Sequence, residues 1–129
     1  MNLLLDTNAL LWSLGDPDRL GVAARLLVSE PGNVVYVSAA SALEIALKVA
    51  LGKLEAPDDP SAWLPDAVRA SRFTPLSITI EHALGVHRLP QHHADPFDRL
   101  LVAQAIAEHL TIVTGDRQLE AYGVPLVLC

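Results

Sequence analysis

The chain has 129 residues, 51% of them hydrophobic and 19% charged, which is enough apolar material for one globular core and excludes a disordered chain. Its net charge of −6 argues against a broad basic surface that grips nucleic acid nonspecifically, although a few local cations could still steer a phosphate. The single cysteine, Cys129, excludes an internal disulfide and suits a reducing cytoplasmic compartment.

In chain order, NLLL (2–5) is a short apolar run expected to form a buried strand, closed by Asp6. TNALLWSL (7–14) reads as a helix, and DRLGVAARLLV (18–28) as a second one. The apolar start has no basic leader and carries Asp6 and Asn8, so a cleaved signal is not expected. NVVYVS (33–38) is β-branched and aromatic, hence a strand, and SALEIALKVALGKL (41–54) has helical spacing with Gly52 as a stop. Residues 34–52 match a membrane span in length, but Glu44, Lys48 and three serines make a soluble protein the expectation. A helix near 61–72, a strand over 74–78 and a helix over 80–86 follow. DPFDRLLVAQA opens a helix over 97–109, then come a strand at 111–114, a short helix at 115–122 and a last strand at 125–129. The alternation predicts a single α/β domain over 1–129: a central, mostly parallel sheet of about five short strands with helices on both faces. No repeat, low-complexity tract or linker divides it.

In a parallel sheet, functional groups collect beyond the carboxyl ends of the strands. Asp6 follows the first strand directly, Glu44 lies early in the helix after the second, and Asp116 comes two residues after strand 111–114. Asp98 opens the helix that leads into that strand. Two carboxylates about 5 Å apart repel by roughly 3 kcal/mol at an effective dielectric of about 20. Four converging acids therefore need protons or a cation, and oxygen-only ligands favour Mg²⁺ or Mn²⁺ over zinc.

Each acid also has a purely structural reading. Ser41 and Glu44 match a capping box, Asp95 before Pro96 is an N-cap pattern, and Asp116 could cap its own short helix. His92 and His93 lack a second His/Cys cluster and read as loop histidines. No glycine-rich phosphate loop is present. An aspartate-nucleophile phosphatase would also open with a strand and an acid, but Asn8 stands where its general acid belongs.

Taken together, LLLDTN (3–8), SALEIALKVALGKL (41–54), DPFDRLLVAQA (95–105) and TGD (114–116) resemble the PIN-domain ribonucleases, and among them the VapC-type toxins of toxin–antitoxin pairs. The likeness runs over nearly the whole chain in the family's order. It implies an acid quartet of Asp6, Glu44, Asp98 and Asp116 holding one or two Mg²⁺ or Mn²⁺ ions, with Asn8 and Thr114 as polar supports. Asp6 and Asp98 would hold the principal ion, while Asp116 and Glu44 complete the site or orient water. Asp95 would cap the helix and support the site from behind. Arg99, Arg117 and Lys48 are candidate phosphate-steering cations, each equally readable as a surface charge. The resemblance further implies metal-dependent RNA hydrolysis, a homodimer, and a cognate antitoxin that blocks the acidic site and supplies any DNA binding. The alternative reading from another class is a PIN-like binding module without turnover.

Overall fold

The computed structural model describes residues 1–129. Five strands, β1 (Asn2–Leu5), β2 (Val34–Ser38), β3 (Thr74–Leu76), β4 (Thr111–Thr114) and β5 (Leu126–Leu128), form one sheet in the order β3-β2-β1-β4-β5. Every neighbouring pair is parallel, so the expected mostly parallel sheet is wholly parallel. Six α-helices join or flank the strands: α1 (Thr7–Gly15), α2 (Gly21–Ser29), α3 (Ala39–Ala50), α4 (Pro60–Ala70), α5 (Ile80–Gly85) and α6 (Pro96–Glu108). Short 3₁₀ turns occupy Pro17–Leu20, Val86–Arg88 and Arg117–Tyr122.

The apolar strands serve two cores because successive side chains leave a strand on opposite faces. Leu3, Leu5, Val35, Val37 and Val113 pack on one side with Leu10 of α1, Ala24 of α2, Ile45 of α3, and Leu64 and Val68 of α4. Leu4 and Ile112 pack on the other with Leu101, Val102 and Ala105 of α6 and with Leu119. Leu3, Leu4 and Leu5 are all fully buried, each contributing roughly 1.5–3 kcal/mol of burial.

Three elements differ from expectation in instructive ways. The run 18–28 is not one helix: a 3₁₀ turn ends at Gly21, whose φ of +78° only glycine takes cheaply, and α2 starts there. The segment 115–122 forms only a 3₁₀ turn over Arg117–Tyr122. The helix expected from 41 begins earlier, at Ala39, because Ser38 is the residue whose hydroxyl accepts the Ala40 amide. It ends before Gly52, whose φ is +70°. The apolar stretch 34–52 is thus a strand followed by a helix, and no helix of the protein is long and apolar enough to cross a membrane.

The strand order places the site. β1 pairs with β2 on one side and β4 on the other, so the connections run outward in opposite directions from the β1–β4 border. At that switch point two loops part and leave a crevice at the carboxyl edge. Leu5 is in register with both Val37 and Val113, which sets Asp6, Ser38 and Thr114 at one level on that edge.

Candidate metal centre

The crevice is an open cleft of about 360 Å³ lined by Asp6, Asn8, Trp12, Glu44, Lys48, Asp95, Asp98 and Asp116, together with Thr7 and Gly115. Five carboxylates face one ammonium there. A hollow of similar size, about 390 Å³, lies beside Val37, Leu64, Val68 and Phe73 and is lined mostly by apolar groups, without the carboxylates of the acidic cleft.

Asp6 is the N-cap of α1. Its Oδ1 accepts the Ala9 amide at 2.8 Å, while Oδ2 accepts the Thr114 hydroxyl. It is 6% exposed, and burial pushes its pKa up from the usual carboxylate value, against the two hydrogen bonds. Thr114, fully buried, is a hinge pin for two acids: it donates to Asp6 and accepts the Asp116 amide at 3.0 Å.

Glu44 is freed from capping by the earlier helix start, so the capping-box reading does not hold. Its Oε1 instead accepts the Thr7 hydroxyl at 2.7 Å, and its Oε2 takes the Lys48 ammonium one helical turn on. The same Thr7 hydroxyl lies 3.0 Å from Ser41 Oγ, the atom once expected to cap. Lys48 is held charged, its pKa raised chiefly by that hydrogen bond to Glu44.

Asp95 caps α6, its Oδ1 accepting the Phe97 amide at 2.8 Å and the Asp98 amide at 3.3 Å. Asp116 lines the cleft and caps the Arg117–Tyr122 turn through Oδ1, which accepts the Gln118 amide at 2.9 Å, while Oδ2 meets the His93 ring. Both residues thus cap an element and also line the cleft.

Asp98 is the exception among the acids. Its carboxylate receives no hydrogen bond, and its contact to His93 Nε2 is 3.5 Å long. Desolvation first, then the charges of Asp95, Asp6 and Glu44, push its pKa up to about 7, with His93 opposing. A half-buried carboxylate without a donor, among four others, is suited to a cation.

His93 lies in the loop before α6, as expected, and its ring reaches two of the acids, Asp98 and Asp116. Its Nε2 lies 2.7 Å from Asp116 Oδ2, and candidate ligand atoms of His93, Asp98 and Asp116 all fall within 4.8 Å of one another. The available signal was its place two residues before a capping aspartate, where a ring nitrogen can meet the Asp95 amide. His92 instead packs edge-on against Tyr122, outside the cleft.

Two proposed steering cations are corrected. Arg99 is 7% exposed and turned away from the cleft: its guanidinium donates to the carbonyls of Pro90, Val86 and Leu89 and to the Tyr122 hydroxyl. Arg117 projects into solvent, 79% exposed, with Glu120 at 3.7 Å, and does not line the cleft. Lys48 alone of the three reaches the acids.

The raised pKa of Asp98 fixes the sign of a stability effect. The unfolded chain releases this proton near the ordinary 3.8, and the metal-free native state holds it to about 7. Between those values the unfolded state binds fewer protons, so stability falls as pH rises, and the loss is complete above about 7. Discounted for partial solvation, the loss amounts to about 2 kcal/mol. Thermal melts from pH 5 to pH 8 in EDTA should show this fall, and Asp98→Asn should flatten it. Mg²⁺ or Mn²⁺ should raise the melting temperature more at pH 8 than at pH 5. An equal rise at both would contradict the assignment.

Comparisons with known proteins give the family and the fold. The sequence profile of the PIN domain matches residues 3–125. Ribonuclease VapC22 of Mycobacterium tuberculosis is 30% identical over 124 residues, spanning 95% of this chain and 93% of that protein. Ribonuclease VapC16 of the same organism is 41% identical over 64 residues, half of this chain and only 44% of that protein's length. Among solved structures, VapBC2 from Rickettsia felis bound to a DNA fragment from their promoter superposes with a TM-score of 0.74. That match covers 99% of this chain and 98% of the other, and at 16% identity it speaks for the fold alone. The chain belongs to the PIN-domain family and, within it, to the VapC-type ribonucleases.

Proposed function

We propose that the protein is a divalent-metal-dependent endoribonuclease, hydrolysing RNA phosphodiester bonds as the toxin of a toxin–antitoxin pair in the cytoplasm. The observation that carries the reading is the acidic cleft at the β1–β4 switch point, where Asp98 lies half-buried without a hydrogen-bond donor. Family membership supports the ribonuclease class.

Asp98 and Asp116, with Asp6 beside them, supply hard oxygen ligands of the kind that suit Mg²⁺ or Mn²⁺. The bound ion would lower the pKa of an attacking water and offset negative charge on the phosphate. Thr114 fixes Oδ2 of Asp6 and the backbone amide of Asp116, so the proposed ligands are placed before substrate arrives. Glu44, pinned by Thr7 and Lys48, flanks the ion site and can orient water. Lys48 is the one cation lining the cleft and offers its charge to an entering phosphodiester. Asn8, on the exposed side of the first turn of α1, lines the cleft as a neutral donor.

An antitoxin would hold the toxin inactive by presenting a basic side chain to the five cleft carboxylates. DNA contact would come through that partner, in keeping with the net charge of −6. The toxin itself would be a homodimer.

The test is cleavage of total cellular RNA by antitoxin-free protein with Mg²⁺, with Mn²⁺ and with EDTA. Discrete fragments that vanish in EDTA and return with Mg²⁺ are expected; cleavage that survives EDTA would sink the proposal. In the same assay Thr114→Val, which keeps the shape and removes both hydroxyl bonds, should lose about 10- to 100-fold in rate. It should also lose about 1–3 kcal/mol of stability in a urea melt. Wild-type rate and stability together would show that Thr114 pins nothing.

A further inference from the structure

His93 is held by a bond that decides what it can do. Its Nδ1 lies 3.0 Å from the Asp95 amide nitrogen and accepts that N–H. A backbone amide only donates, so Nδ1 must present its lone pair, and the neutral ring carries its proton on Nε2. That Nε2–H points at Asp116 Oδ2, 2.7 Å away, with Asp98 Oδ2 farther off at 3.5 Å. Distance alone would admit the imidazole as a nitrogen ligand beside the two carboxylates. The tautomer does not, because a protonated Nε2 has no lone pair to give. Ligation through Nε2 would move the proton to Nδ1, setting it against the Asp95 N–H, donor to donor.

We propose that His93 is a positioning residue of the metal centre and not one of its ligands: it donates Nε2–H to Asp116 and keeps that carboxylate turned toward Asp98. The inference rests on the metal reading above. Asp116 is then gripped at both oxygens, by the Gln118 amide on Oδ1 and by His93 on Oδ2, each oxygen keeping a lone pair for an ion. Asp95 has two parts in the same device. Its carboxylate caps the helix that carries Asp98, and its amide sets the tautomer of the histidine that holds Asp116. The stretch His93-Ala94-Asp95-Pro96-Phe97-Asp98 thus works as one unit, joining the loop before α6 to the turn after β4. Donors behind ligating carboxylates fix their orientation, and their loss costs metal affinity while the ligands stay in place.

The test uses Mn²⁺ alone, without RNA, on the full chain: equilibrium binding followed by electron paramagnetic resonance for wild type, His93→Ala and His93→Gln. Glutamine keeps an N–H donor at similar reach but no imidazole. His93→Ala should bind Mn²⁺ about 10- to 100-fold more weakly, and His93→Gln within a few-fold of wild type. Electron spin-echo modulation of Mn²⁺ on the wild-type protein should show no directly coordinated imidazole nitrogen. An imidazole coupling in wild type that disappears in His93→Gln would overturn the proposal, as would unchanged affinity in His93→Ala. Should His93→Ala fail to fold, the spin-echo signal of wild type and the affinity of His93→Gln still decide. A wild-type protein that binds no Mn²⁺ would overturn the metal centre itself, and a failure of that kind is distinct from one in which wild type binds and His93 proves irrelevant.

Discussion

Asp98→Asn should lower RNA cleavage by at least about a hundredfold while leaving the metal-free protein no less stable than wild type. The two halves of that expectation have one cause. In the metal-free fold Asp98 is a carboxylate with no donor, and desolvation by burial, then the charges of Asp95, Asp6 and Glu44, push its pKa up to about 7. Asparagine keeps the size, removes the charge and relieves the repulsion, so melting at pH 8 in EDTA should move upward. The same exchange removes the proposed ligand, the one cleft acid that receives no hydrogen bond. Thr114 and Ala9 satisfy Asp6, Thr7 and Lys48 satisfy Glu44, and His93 and Gln118 satisfy Asp116. Cleavage rates and melts on one preparation check both halves. A variant that is inactive because it is unfolded, or one that is folded and fully active, would contradict the role given to Asp98.

The largest expected loss of stability comes from the neighbouring residue. Arg99→Ala should lose about 3 kcal/mol, seen as a fall of roughly 10 °C in melting temperature. Its guanidinium is buried and donates to three carbonyls of the segment 86–90 and to the Tyr122 hydroxyl. Removing it leaves those acceptors without their donor and opens space beneath α6. Because the guanidinium is not in the cleft, the salt dependence of cleavage at low temperature should match wild type. A variant that melts within 2 °C of wild type, on the scale of about 1 kcal/mol or less, would show that this clamp holds little.

Much of the fold was legible because each apolar run on the sheet is short and ends in a polar residue: Leu5 before Asp6, Val37 before Ser38, Val113 before Thr114. The acids stood out for the same reason, since a carboxylate closing a buried strand needs a partner. What sequence did not show was which of two eligible serines caps α3. Ser38 and Ser41 are both good N-caps, and the choice fell to Ser38 because it ends β2 and its hydroxyl also bonds Gln104. That three-residue shift released Glu44 into the cleft. Helix geometry turns Arg99 away: with Asp98 facing the cleft, the next residue points about 100° round the helix. Lys48, four residues after Glu44, does share its face, and it is the cation that lines the cleft. His93 was hidden because its role depends on loop geometry that brings its two nitrogens to the Asp95 amide and the Asp116 carboxylate, the second 23 residues away.

The account turns on a divalent ion resting among these carboxylates, and the most direct measurement is anomalous diffraction from crystals of the protein grown or soaked with Mn²⁺. A peak between Asp98 and Asp116, within coordinating reach of their oxygens, is the result predicted here. Crystals at saturating Mn²⁺ that show no peak in the cleft, or a peak only at some other surface, would contradict it.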